Sequence, residues 1–138
     1  RYRTRDLTRL LPPTSRAFRR FDKITGRSDD MLIIRGVNVF PSQIEEQILR
    51  DKRLAGTYQI ILNRDGHLDN IEVCCEVTRE LSFGLSDADR SNISKELQHR
   101  IKTNVGVSTR VNVMLFETLP RTEVGKARRV FDHRPKQN

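Results

Sequence analysis

Asn70-Ile71-Glu72-Val73-Cys74-Cys75-Glu76-Val77-Thr78 is the stretch on which the fold turns. Ile71, Val73, Cys75 and Val77 alternate with Glu72, Cys74, Glu76 and Thr78. Successive side chains of a strand point to opposite faces, so the spacing predicts a strand with one face buried. Upstream, Tyr58-Gln59-Ile60-Ile61-Leu62 reads as another strand, followed by the turn signal Asp65-Gly66. Downstream, Ser86-Asp87-Ala88-Asp89 offers a helix start. Ile93, Leu97 and Ile101 keep one helical face, and Gly106 can end that helix. Val111, Val113 and Leu115 give a further strand, and a last extended piece covers residues 127–131.

Before the opening stretch, Met31-Leu32-Ile33-Ile34 reads as a short strand ending at Gly36. Ser42-Gln43-Ile44-Glu45 has the form of a capping box, and Ile44, Ile48 and Leu49 follow at helical spacing. From residue 31 the order is β-α-β-β-α-β. That predicts an α+β fold of ferredoxin-like plan, two helices on one face of an antiparallel sheet. Residues 1–27 read as two extended runs, 2–11 and 18–24, with Pro12-Pro13-Thr14-Ser15 as the turn. A lone hairpin is marginal in water, so it is expected to belong to a larger domain preceding this one. The expected division is residues 1–28 as hairpin and linker, and 29–138 as a small C-terminal domain. The chain opens on Arg1, mid-pattern, and is read as cut from a longer polypeptide.

At 138 residues with 36% hydrophobic and 32% charged residues, the chain can build one modest core under a charged surface. No apolar run approaches the ~20 residues that span a bilayer, so no membrane partner is expected. Cys74 and Cys75 are adjacent, point to opposite faces of a strand and have no second pair. They read as reduced structural thiols, not a metal site, and suit a cytoplasmic protein. The net charge is +8, from 26 Lys+Arg against 18 Asp+Glu. Such a balance suits a polyanion, a phosphorylated small molecule, or an interface to a missing half. A ferredoxin-like fold with that charge could bind RNA. The central strand would then need exposed aromatics to stack on bases, and 70–77 offers two glutamates and none. No nucleic-acid partner is expected, and a regulatory small-molecule-binding domain is the remaining rival, since fold does not fix function. The exposed hairpin edge also allows a homo-oligomer by strand pairing.

Four segments carry chemistry. Tyr2-Arg3-Thr4-Arg5-Asp6-Leu7 places a carboxylate at the end of an extended run, where it could accept hydrogen bonds from a diol. Gly26-Arg27-Ser28-Asp29-Asp30 joins the hairpin to the small domain, where a hinge would lie. Arg35-Gly36-Val37-Asn38-Val39-Phe40-Pro41 reads as a loop between strand and helix, its glycine permitting close backbone approach. Pro120-Arg121-Thr122-Glu123-Val124-Gly125-Lys126-Ala127 sets a lysine after a glycine, a compact charge able to meet negative charge developing on oxygen.

In this order the four segments resemble the C-terminal part of the superfamily of acyl-CoA synthetases, adenylation domains and luciferases. The segments 35–46 and 124–130 look most like its phenylacetate–CoA ligase branch. The resemblance spans essentially the whole chain. It implies a ligase that uses ATP and Mg²⁺ to join an aryl acid to AMP, and then transfers the acyl group to CoA. It implies that Asp6 binds the ribose of ATP or AMP and that Arg27 contacts the ribose and phosphate. It further implies that Asp29 is the hinge, Gly36 flanks the pantetheine passage of CoA, and Lys126 is the catalytic lysine of adenylation. The fragment alone is expected to be inactive, because the acid pocket, the phosphate loop and most of the Mg²⁺ contacts would lie in a missing N-terminal domain. One departure stands out: Arg5 occupies a position where the superfamily commonly has glycine.

Overall fold

The computed structural model describes residues 3–12, 20–24, 26–27, 30–121 and 128–135. Strand β1 (Asp6–Leu7) pairs antiparallel with β2 (Gly26–Arg27), and Leu10 bridges to Phe21. The backbone N–H groups of Leu11 and Asp22 donate to the carbonyls of Arg20 (3.0 Å) and Arg9 (2.8 Å). The expected hairpin therefore forms, although most of its turn lies outside the described residues.

Strands β3 (Leu32–Ile34) and β4 (Val37–Val39) pair antiparallel across Arg35 and Gly36. Those two residues have φ of 50° and 77°. Two successive left-handed residues make the tight hairpin turn whose twist matches its strands. Residues 35–41 are thus not the strand-to-helix loop that the sequence suggests; a whole strand intervenes before the helix. Helix α1 (Pro41–Leu49) begins with proline at its first position, where a fixed φ and a missing N–H cost nothing. Phe40 is its N-cap residue, and Gln43 Oε1 accepts from the Phe40 N–H at 3.0 Å. The expected Ser42–Glu45 capping box is therefore displaced: proline sets the start two residues earlier, and the return bond comes from Gln43.

The main sheet is built on a long hairpin, β5 (Leu54–Asp65) and β6 (Leu68–Val77), which turns at Gly66 with φ 59°. After the short helix α2 (Arg79–Ser82) comes α3 (Asp87–Val105). Ser86 Oγ accepts from the Asp89 N–H at 3.1 Å, and Gly106 closes α3 at φ 84°. Strands β7 (Arg110–Met114) and β8 (Val130–Asp132) complete the sheet in the order β7-β6-β5-β8. The central pair is antiparallel, and each outer strand runs parallel to its neighbour. Helix α1 packs on β5, α3 packs on β7, and the helices pack on each other, so both cover one face. The α+β class with two helices on one face of the sheet stands. One strand changes place: residues 32–34 pair locally with 37–39, and β8 takes the remaining sheet edge.

Ile44, Ile48, Leu97 and Ile101 from the helices meet Ile60, Leu62 and Val73 from the sheet, all fully buried. Each contributes roughly 1.5–3 kcal/mol by leaving water. Strand β6 departs from its simple alternation. Toward its end it is buried on both faces, and Glu76 is 0% exposed. Cys74 and Cys75 are both buried and free. Burial, with Cys74 as a smaller cause, pushes the Cys75 thiol up to about 12, and burial raises Cys74 as well. Little thiolate exists near neutrality, and thiolate is the reactive form. Native protein at pH 8 is therefore expected to resist a thiol-specific disulfide reagent, and both cysteines should label on unfolding. Prompt native labelling would contradict this packing. Among the described residues no helix is long and apolar enough to cross a membrane.

Candidate functional site

The β1–β2 pairing brings two of the predicted site residues together. Asp6 and Arg27 are partners in register, and both are exposed. A carboxylate and a guanidinium thus stand side by side on a short ladder, one able to accept from hydroxyls and the other able to donate to an anion. The Asp6 N–H donates to Thr4 Oγ1 at 3.5 Å. Arg5 has φ 62°. This is the left-handed region that favours glycine, so an arginine here carries about 1–2 kcal/mol of backbone strain. The departure noted in the sequence thus falls at a position whose geometry suits glycine.

Gly36 belongs to a different hairpin, at the tip of the β3–β4 turn. An added Cβ there would meet nothing within 4 Å. The turn is held from its flank. Arg35 Nε donates to the Asp69 carbonyl at 2.8 Å, and its Nη2 donates to Asn70 Oδ1 at 2.6 Å. Arg134 Nη1 donates to the Ile33 carbonyl and to Asp69 Oδ2, each at 3.0 Å. Arg64 and then Arg134 hold the Asp69 carboxyl below its ordinary range. The remaining two predicted residues, Asp29 and Lys126, lie outside the described residues.

The described residues on either side of 122–127 are firmly placed. Before it, Glu76 gathers three donors. The Leu119 N–H donates to Oε1 at 2.7 Å; the Glu117 N–H (3.2 Å) and Arg121 Nη2 (2.7 Å) donate to Oε2. Arg121 also donates to Thr57 Oγ1 and lies 5.3 Å from the Phe116 ring centroid. After it, Arg129 pairs with Glu45, donates to the Tyr58 hydroxyl at 3.1 Å and stacks 4.7 Å from that ring. Burial holds the Tyr58 hydroxyl above its ordinary range, so it stays protonated. Between the two anchors opens a cleft of about 460 Å³, with Arg121, Arg128 and Arg129 in its wall. Sequence reasoning missed Glu76, because alternation assigned it to the exposed face. It also left Arg129 as part of an extended run.

The sequence profile for the AMP-binding enzyme C-terminal domain matches residues 36–134. The chain belongs to this family. A phenylacetate-coenzyme A ligase of Aromatoleum evansii is 53% identical over 137 residues, 99% of this chain and 31% of that protein. The chain therefore spans about a third of the length of that curated relative. A solved domain of phenylacetate-coenzyme A ligase from Bacteroides vulgatus superposes with a TM-score of 0.69 at 31% identity, covering 79% of this chain and 97% of that one. A 2-hydroxyisobutyryl-CoA ligase, solved with 2-HIB-AMP and CoA in its thioesterification state, superposes with a TM-score of 0.69 at 32% identity, covering 80% of this chain and 23% of that one. Within the AMP-binding C-terminal family, then, this chain is similar to CoA ligases in sequence and in fold.

Proposed function

We propose that this chain is the C-terminal part of a phenylacetate–CoA ligase. Residues 1–28 end the larger adenylation domain and 29–138 form its mobile lid. The aryl acid and ATP react to acyl-adenylate and pyrophosphate; the CoA thiol then displaces AMP to give the thioester. The cross-strand pairing of Asp6 with Arg27 is the observation that carries this reading. A ribose diol presents two donors and its phosphate presents charge, and this pair offers an acceptor and a cation at neighbouring positions.

The proposed roles follow from chemistry. Asp6 accepts from the ribose hydroxyls, and Arg27 donates toward ribose and phosphate oxygens. Lys126 brings its ammonium to the α-phosphate as the carboxylate attacks, offsetting the repulsion between two anions. Asp29 is the hinge about which the small domain turns once the adenylate exists. The turn at Gly36 then flanks the pantetheine arm of CoA. ATP reaches such a reaction as its magnesium complex. Among the described residues no three His, Cys, Asp or Glu side chains gather to hold a metal, so no residue of this chain is assigned to Mg²⁺.

The products test the reading. The full-length ligase incubated with phenylacetate, ATP and CoA is expected to release AMP and pyrophosphate in step with phenylacetyl-CoA. Release of ADP and orthophosphate would overturn the adenylate route.

A further inference from the structure

We propose that Glu76 is a positioning residue for the adenylation half-reaction, holding the described segment 117–121 that leads toward Lys126. The inference rests on the role assigned to Lys126 above.

Glu76 sits on the central strand β6, level with Met114, the last residue of β7. The chain leaving β7 therefore meets its carboxylate at once. The side chain is 0% exposed, and a buried charge is costly unless paired and hydrogen-bonded. Here both oxygens are occupied, by two backbone N–H groups and one guanidinium. An apolar residue would fill the same volume without that cost. What the carboxylate adds is direction: it converges Glu117, Leu119 and Arg121 on one point. Glu117 has φ 63°, a left-handed conformation that its bond to Glu76 helps to hold.

Arg121 is thereby fixed on three sides, by Glu76, Thr57 and the Phe116 ring. Beyond 122–127, the Ile60 N–H donates to the Arg129 carbonyl at 2.7 Å, locking the return into the sheet. The chain leaves toward Lys126 and comes back from it at two set points. A misplacement near 1 Å at a reacting centre can cost on the order of 10²-fold in rate. Loosening the departure point should therefore slow the step that uses Lys126 and spare the step that does not.

The test uses the full-length ligase and measures both half-reactions. Glu76→Gln keeps the volume, but its amide N–H₂ faces donors that need an acceptor. It is expected to lower kcat for acyl-adenylate formation about 10–100-fold, with KM for ATP changed by less than about threefold. Thioester formation from supplied acyl-adenylate should stay within about twofold of wild type. Arg121→Gln should show the same selectivity, and Arg121→Lys, which keeps a cation on Glu76, a smaller loss. Asp51→Asn removes a different buried carboxylate, paired with Arg53 and Arg100, and serves as the stability control. It should lower Tm without favouring one half-reaction. Equal loss of both half-reactions in the Glu76 and Arg121 variants would overturn the proposal. If Glu76→Gln fails to fold, Arg121→Gln decides alone. Lys126→Ala run alongside separates the two ideas. Its loss of adenylation with intact Glu76 and Arg121 variants sinks only the anchor, while its full adenylation activity sinks the lysine reading and the anchor with it.

Discussion

Lys126→Ala in the full-length ligase is expected to slow acyl-adenylate formation by about 10²–10³-fold, the loss seen when one preorganised donor to a developing charge is removed. That is about 3–4 kcal/mol of transition-state stabilisation. Carboxylate and α-phosphate are both anionic, so their approach is opposed by charge before any bond forms. A single ammonium on a flexible stem offsets this only if it reaches the oxygens that gain charge. Arginine would carry the charge on a broad planar fork, so Lys126→Arg should recover little of the rate.

The second half-reaction should behave otherwise. The CoA thiol attacks an adenylate whose acyl carbon is already activated, and AMP leaves. No two anions are forced together there, and the proposed rotation at Asp29 has taken the lysine away. Thioester formation from supplied phenylacetyl-AMP by Lys126→Ala should stay within about twofold of wild type. Rapid-quench measurement of each half-reaction reads both numbers. Equal depression of the two would contradict a lid that shows different faces in turn.

What could be read in the sequence follows from how local each signal is. Ser86, the stripe of Ile93, Leu97 and Ile101, and Gly106 specify α3 within its own residues, and the helix forms between those marks. Residues 32–34 were legible as a strand but not their partner, because three apolar residues fit a sheet edge as well as a hairpin. The left-handed pair Arg35 and Gly36 settled it. Glu76 shows a deeper gap. Period two states which side a residue faces, not what later segment covers that side, and residues 117–119 arrive some forty positions on. In the candidate site, residue chemistry offers Asp6 as an acceptor for a diol, and the resemblance assigns it and Arg27 to the nucleotide. Their adjacency depends on a register set across the intervening turn. For Asp29 the junction suggests a hinge and for Lys126 the glycine before it suggests a compact charge, but their assigned roles rest on the resemblance.

Gly36 supplies the mirror experiment. Its φ of 77° makes alanine costly by about 1 kcal/mol, whereas asparagine tolerates that region better. Among the described residues nothing lies within 4 Å of the Cβ that either side chain would add. Arg35 keeps its bonds to Asp69 and Asn70, so the turn stays anchored. The proposed visitor that the new atoms would obstruct is the pantetheine arm. Gly36→Ala and Gly36→Asn are both expected to slow thioester formation at least about tenfold, a barrier of about 1.4 kcal/mol, while adenylation stays near wild type. Asparagine, the bulkier and less strained, should be the slower of the two if obstruction is the cause. If alanine is the slower, backbone strain is responsible and the passage lies elsewhere. Together with Lys126→Ala, the pair makes a crossed pattern, each substitution disabling the half-reaction that the other spares. A domain acting only as a static cover would instead weaken both steps with either change.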